Sequence, residues 1–205
     1  MRVYAAGLAT KLAIAQDTGI EPAMFVSLTV KNRTTNATAE FGFWTGDENI
    51  TLDVESTEGG LISRTFIGGV NLTVDNIVYV ADLTDNPVSV GLSQIADEVQ
   101  NMVRGYTARF AQCLIHGTSW SGGQLVSVPQ LLYVGIVDEA PISTPEVDSD
   151  GSILLSVRSE LMAQLMRSNS ARSSDSHQRR RQANDSFSQF SGIVDSWKVQ
   201  WYKKG

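Results

Sequence analysis

Apolar and polar residues alternate through most of the first two thirds of the chain, the period of a strand with one buried face. Met24–Val30 (MFVSLTV) sets Phe25 and the alternating Val26, Leu28 and Val30 in a strand-like pattern. Glu40–Gly46 (EFGFWTG) is aromatic and ends on the turn signal Gly46-Asp47; in the ITLDVES that follows, Ile50, Leu52 and Val54 share a face. LISRTFIGG and VNLTVDNIVYV read as two strands joined by a tight turn at Gly68-Gly69. Ala108–His116 (ARFAQCLIH), Gln130–Ala140 (QLLYVGIVDEA) and Ile153–Val157 continue the series, with a loop marked at Ser121–Gly123. Short strands at this spacing predict a mainly β chain built as a sandwich or barrel.

The period changes at Ser93. Ile95, Val99 and Met102 fall at i, i+4 and i+7 and form the apolar core face of a helix predicted over 93–104. Ser93 is its expected N-cap, Asp97 and Glu98 lie early, Arg104 lies late, and Gly105 closes it. A short second helix is predicted at about 159–167, with Leu161 and Leu165 at i, i+4. Residues 1–23 read as an arm or short helix, because Lys11 interrupts an apolar run too short for a secretory leader. Residues 24–167 form the expected barrel-like body. Residues 168–205 read as a basic loop and a C-terminal β segment, in which Trp197, Val199 and Trp201 alternate. That region is expected to complete the body or to contact neighbours.

Charge alters this picture more than composition does. The 205 residues carry a formal net charge of -6 with 42% apolar content, ordinary for one substantial domain. Residues 1–157 hold 7 basic and 18 acidic side chains, a net of -11, whereas residues 158–205 hold 9 and 4, a net of +5. Such asymmetry suits a charged partner or head-to-tail contact between copies. No apolar run reaches the roughly 18 residues of a membrane span, and no membrane insertion is expected. The run Arg179, Arg180, Arg181 has two uses: a solvated or protein-docking loop, or a nucleic-acid-binding module gripping phosphates. The acidic balance of the chain favours the first.

Chemistry is sparse. A single cysteine, Cys113, leaves no internal disulfide and no all-cysteine metal site. His116 follows it at i+3 on the same strand, so the two side chains point to opposite faces and Cys113 reads as a core residue. His177 reads as a surface residue, and Asp138-Glu139 as solvated charge, because adjacent strand residues diverge. The glycines of GGLISRTFIGG lack phosphate-loop spacing, and the five Asn-X-Ser/Thr sequons (Asn32, Asn36, Asn49, Asn71, Asn184) read as turn and strand composition. No nucleophile–base pair or metal set can be assembled, so neither an enzyme activity nor a cofactor is expected.

The order of features between Val70 and Trp201 is more distinctive than any one of them. DNPVSVGLSQIADEVQ leads into RFAQCLIH and QLLYVGIVDEAPI; GSILLSVRSELMAQLMRS precedes DSHQRRR; an Asp185-X-Phe187 step and a terminal segment with Trp201 follow. This order resembles the tail-tip proteins of tailed phages, the hub and distal-tail components of siphophages and gene transfer agents. It is also similar to the minor tail-tip proteins of lambda-like phages. The resemblance implies a tail-tube-like β-barrel domain in a virion structural protein made in the host cytoplasm and residing at the tail tip. Copies would form a homo-oligomeric ring, trimeric for a hub or hexameric for a distal-tail ring, with sheets joined between subunits and DNA passing the lumen without specific binding. Implied neighbours are the tail tube or distal-tail protein, other hub or fibre proteins and the tape-measure protein. Some hub relatives hold an iron–sulfur cluster on a C-terminal cysteine set; with Cys113 alone, this chain is expected to lack it. Arg172, Arg179, Arg180, Arg181, Trp197 and Trp201 are the candidate subunit-interface residues, the arginine forks being suited to carboxylates on an acidic neighbour.

Overall fold

The computed structural model describes residues 3–75, 77–78, 84–141, 151–165 and 174–198. The chain divides into two compact units, Met1–Leu165 and Met166–Gly205. In order, the first unit contains α1 (Ala6–Thr18), β1 (Glu21–Asn32), β2 (Thr38–Trp44), β3 (Ile50–Glu55), β4 (Leu61–Phe66), β5 (Thr73–Asp75) and β6 (Val88–Ser93). After these come α2 (Asp97–Gly105), β7 (Tyr106–Ser121), β8 (Gln124–Leu125), β9 (Gln130–Glu139), β10 (Ser152–Ser159) and α3 (Glu160–Leu165). The second unit has α4 (Asp175–Arg181) and a 3-10 turn, Val194–Ser196. No helix among the described residues is long and apolar enough to cross a membrane.

The protein is mainly β. Among the described residues eight strands form one curled half-barrel sheet in the order β2-β1-β7-β9-β10-β6-β5, with β8 added to β7; β3 and β4 pair separately. Alternation explains which face each side chain takes. Val26, Leu28 and Val30 of β1 join Cys113, Ile115, Val137, Leu155 and Val90 in the main core. Phe25 points the other way, into a second cluster with Ala23, Trp44, Val54 and Phe66, where the β3–β4 hairpin covers the sheet. Each fully buried Val, Leu, Ile or Phe among these contributes about 1.5–3 kcal/mol through removal from water.

Helix α2 packs on the main core through Val99, Met102 and Val103, all buried. Asp97 and Glu98 occupy its first turn and Arg104 its last, in accord with the helix dipole. Arg33 secures the C-terminal end: its Nε donates to the Tyr106 carbonyl and its NH2 to the Val103 carbonyl, each at 2.9 Å. Ile95, expected on the core face, instead precedes the helix and is 72% exposed. The cause is Ser93. Its backbone N–H donates to the Val70 carbonyl at 2.8 Å, it pairs with Ser152 as the last residue of β6, and its Oγ accepts the Ile95 N–H at 3.3 Å in a turn, so the chain is still in strand and turn where the helix was expected to begin. The helix starts at Asp97 behind an uncapped Ala96, and the stripe moves to Val99, Met102 and Val103.

Three further expectations need correction. The Gly68-Gly69 pair does not join two adjacent strands, because β4 pairs with β3 while β5 pairs with β6 in the other sheet. These glycines instead pass against the loop after β2: the Gly69 N–H donates to the Gly46 carbonyl at 2.8 Å, Gly69 has φ 66°, and a Cβ on Gly68 would strike the backbone of Asp47 and Glu48. The stretch read as a basic loop contains a helix, α4, with Asp175 in its first turn and Arg179, Arg180 and Arg181 in its last. The short second helix is found as α3, Glu160–Leu165, with Leu161 and Leu165 exposed; residues 166–167 lie outside the described residues. Trp197 follows the 3-10 turn Val194–Ser196 rather than opening a strand, and Val199 and Trp201 lie outside the described residues.

Candidate functional site

The interface residues named from sequence are dispersed. Arg172 and Trp201 lie outside the described residues. On α4, Arg179 Nε donates to Asp175 Oδ2 at 2.8 Å across one helical turn, so part of the arginine charge is neutralised within the helix. Arg180 and Arg181 are exposed and make no ion pair among the described residues. Trp197, half-exposed, packs against Phe190 in the same unit with ring centroids 5.5 Å apart. Val99 and Met102 are core residues of the first unit.

Polar chemistry collects beneath the β3–β4 hairpin. Phe25 and His116 are cross-strand partners on β1 and β7, and Ser27 faces Leu114 on the same side. His116 is fully buried, with Nε2 2.9 Å from the Glu55 carbonyl. A carbonyl only accepts, so Nε2 carries the proton. Burial lowers the His116 pKa; the Arg64 charge lowers it further, while the hydrogen bond to Glu55 and its carboxylate oppose the shift. Glu55 closes the other side of the clasp, its Oε2 accepting the Leu131 N–H at 2.9 Å. His116 is therefore a neutral strut that ties β3 to β7. Cys113 lies across the sheet, where burial pushes its thiol up to about 12, so it offers no thiolate. Among the described residues no three His, Cys, Asp or Glu side chains group in a way that could hold a metal ion.

Beside this clasp, β4 diverges from the edge strand β2. The Ile67 N–H donates to the Gly42 carbonyl at 2.9 Å and the Trp44 N–H to the Ile67 carbonyl at 3.1 Å, after which the two backbones separate. Arg64 spans the gap to Glu40 at 3.4 Å. A cavity of about 240 Å³ lies there, lined by Ser27, Glu40, Phe41, Gly42, Ser63, Arg64 and Thr65. Toward Thr38 no strand among those described lies beyond β2, and at the other end of the sheet none lies beyond the short β5. Unpaired edges of this kind invite another chain.

Two features at opposite ends of β7 stand out. At one end Trp44 stacks on Phe25 (5.5 Å, 3°) and meets Trp120 at 5.9 Å, while its Nε1 donates to the Glu48 carbonyl at 2.7 Å. The two indoles, with Gly46, Asp47, Glu48, Asn49 and Ile50, line an open pocket of about 470 Å³. Gly46 is required, because a Cβ there would enter the Trp44 ring. At the other end the β1–β7 register breaks: Thr29 pairs with Gln112 and Lys31 with Thr107, so β7 arches outward between them. On that arch Phe110 has φ 65° and is 71% exposed, with the Arg109 guanidinium 4.9 Å from its ring centre. A non-glycine residue in that conformation costs on the order of 1–3 kcal/mol.

Neither the pocket nor the arch was singled out by sequence reasoning. The aromatic run ending at Trp44 was visible, but nothing local signals that Trp120 meets it. The comparisons add no further indication: no protein-family model matches the chain, and no curated protein matches it.

Proposed function

We propose that this chain is a structural protein of a phage tail tip, a hub subunit whose copies close into a ring around the DNA channel and join the tail tube to the host-contacting parts. The observation that supports this reading is an open half-barrel sheet whose end strands, β2 toward Thr38 and β5, have no further strand beside them among the described residues. A curled sheet whose edges differ is satisfied by neighbours placed head to tail, each lending one edge to the next, and such heterologous contacts close into rings. The charge imbalance between residues 1–157 and 158–205 fits the same arrangement, with the arginines of α4 docking on the acidic surface of an adjacent subunit. Carboxylates facing the lumen would repel DNA phosphates and keep the passing duplex from sticking. The role is mechanical and involves no bond chemistry.

Native mass spectrometry and light scattering of the purified chain test this. A closed trimer is the expected result. A closed hexamer would move the assignment to the distal-tail ring. A chain that stays monomeric at every concentration reached, or that binds DNA tightly with steep salt dependence through Arg180 and Arg181, would overturn the reading.

A further inference from the structure

We propose that Arg109 and Phe110 of one copy insert into the Trp44–Trp120 pocket of the next, forming a specific head-to-tail contact of the ring; the inference rests on the ring reading above and assigns it an interface. Phe110, on the arch where β7 outruns β1, combines two features. Its backbone lies in a region that β-carbon-bearing residues avoid, at φ 65°, yet the ring this displays is 71% exposed. Strain maintained for the sake of an exposed aromatic side chain points to an anchor for a partner. Arg109 lies over that ring at 4.9 Å and makes no ion pair among the described residues, so the arch presents an aromatic and a cation together.

The pocket is complementary in each respect. Its floor is the half-buried indole of Trp120, backed at 5.9 Å by Trp44, which is itself buried against Phe25; the Trp120 face is suited to an aromatic ring or a guanidinium. Its rim carries the exposed Asp47 and Glu48, neither paired with a cation among the described residues. The open volume of about 470 Å³ falls in the range of a site for an inserted group. A single copy cannot make this contact with itself. Phe110 and Trp120 lie on the same strand, and at about 3.3 Å per residue they are separated by roughly 30 Å. Knob and pocket are thus different patches of the same surface, as a heterologous interface requires.

The test uses the full chain and two variants, R109S/F110G without the knob and D47K/E48K with an opposing charge at the pocket. Glycine at 110 relieves the backbone strain, so R109S/F110G is expected to melt at or above the wild-type temperature while losing self-association at least tenfold. A residue with a purely structural role would do the reverse. D47K/E48K is also expected to be monomeric, and mixing the two variants should give one-to-one pairs that grow no further, since only one intact knob meets one intact pocket. If both variants assemble like wild type, this contact is wrong and the ring reading stands. If the wild-type chain itself never associates, both fall.

Discussion

Cys113 and His116, three positions apart on β7, lie on opposite sides of the sheet, the thiol in the main core and the imidazole beneath the β3–β4 hairpin. The one residue pair that could have suggested nucleophilic catalysis is thereby separated by the sheet itself. Each residue has a measurable consequence.

Cys113 is expected to resist alkylation in the native state, since its thiol is fully buried and pushed up to about 12. Labelling with a maleimide or an aromatic disulfide should follow the rate of global unfolding and accelerate in denaturant. Rapid native-state labelling at neutral pH would show that the core around β7 opens.

His116 links stability to pH. Its folded pKa lies below the ordinary 6.5, so just below that value the unfolded chain binds more protons than the folded one. Its contribution is complete above about pH 6.5 and is lost as pH falls toward and through the folded pKa. The denaturation midpoint of wild type should fall between about pH 7 and pH 5. His116→Gln, which can keep a donor toward the Glu55 carbonyl, should show a smaller fall over the same interval. Identical slopes for the two proteins would contradict the buried neutral imidazole.

Arg33 should matter more than an exposed arginine usually does. Replacing it with Ala removes two hydrogen bonds to carbonyls at the C-terminal end of α2 and is expected to cost about 1–2 kcal/mol. Arg33→Lys should restore only part of that, lacking the fork that reaches both carbonyls. Chemical denaturation measures the loss, and hydrogen exchange along Asp97–Gly105 should locate it.

Phe66 holds the hairpin to the sheet, buried with Val54 and edge-on to Phe25 at 5.1 Å. Phe66→Ala should cost about 3–5 kcal/mol and expose the 50–66 segment to protease before the main sheet yields. Uniform loss of protection throughout the sheet would instead make hairpin and barrel one cooperative unit.

Period-two alternation was enough to place β1, β3, β7 and β9, and to put Cys113 and His116 on opposite faces, because which way a strand side chain points is a local property of the backbone. The acid–base polarity of α2, with Asp97 and Glu98 early and Arg104 late, was equally legible. Partner choice was not. Ser93 looks like a helix cap, but it ends β6 opposite Ser152 and its hydroxyl closes a turn on the Ile95 N–H; the helix starts only at Asp97, and Ile95 is left in water. Gly68-Gly69 looks like a hairpin turn until β4 turns to β3 and β5 to β6. Trp44 and Trp120 meet because β1 lies between β2 and β7, and Phe110 is thrust outward because β7 is longer than the strand it pairs with. These outcomes depend on hydrogen bonds and burial shared among segments far apart in the chain, a competition settled only when the whole sheet forms.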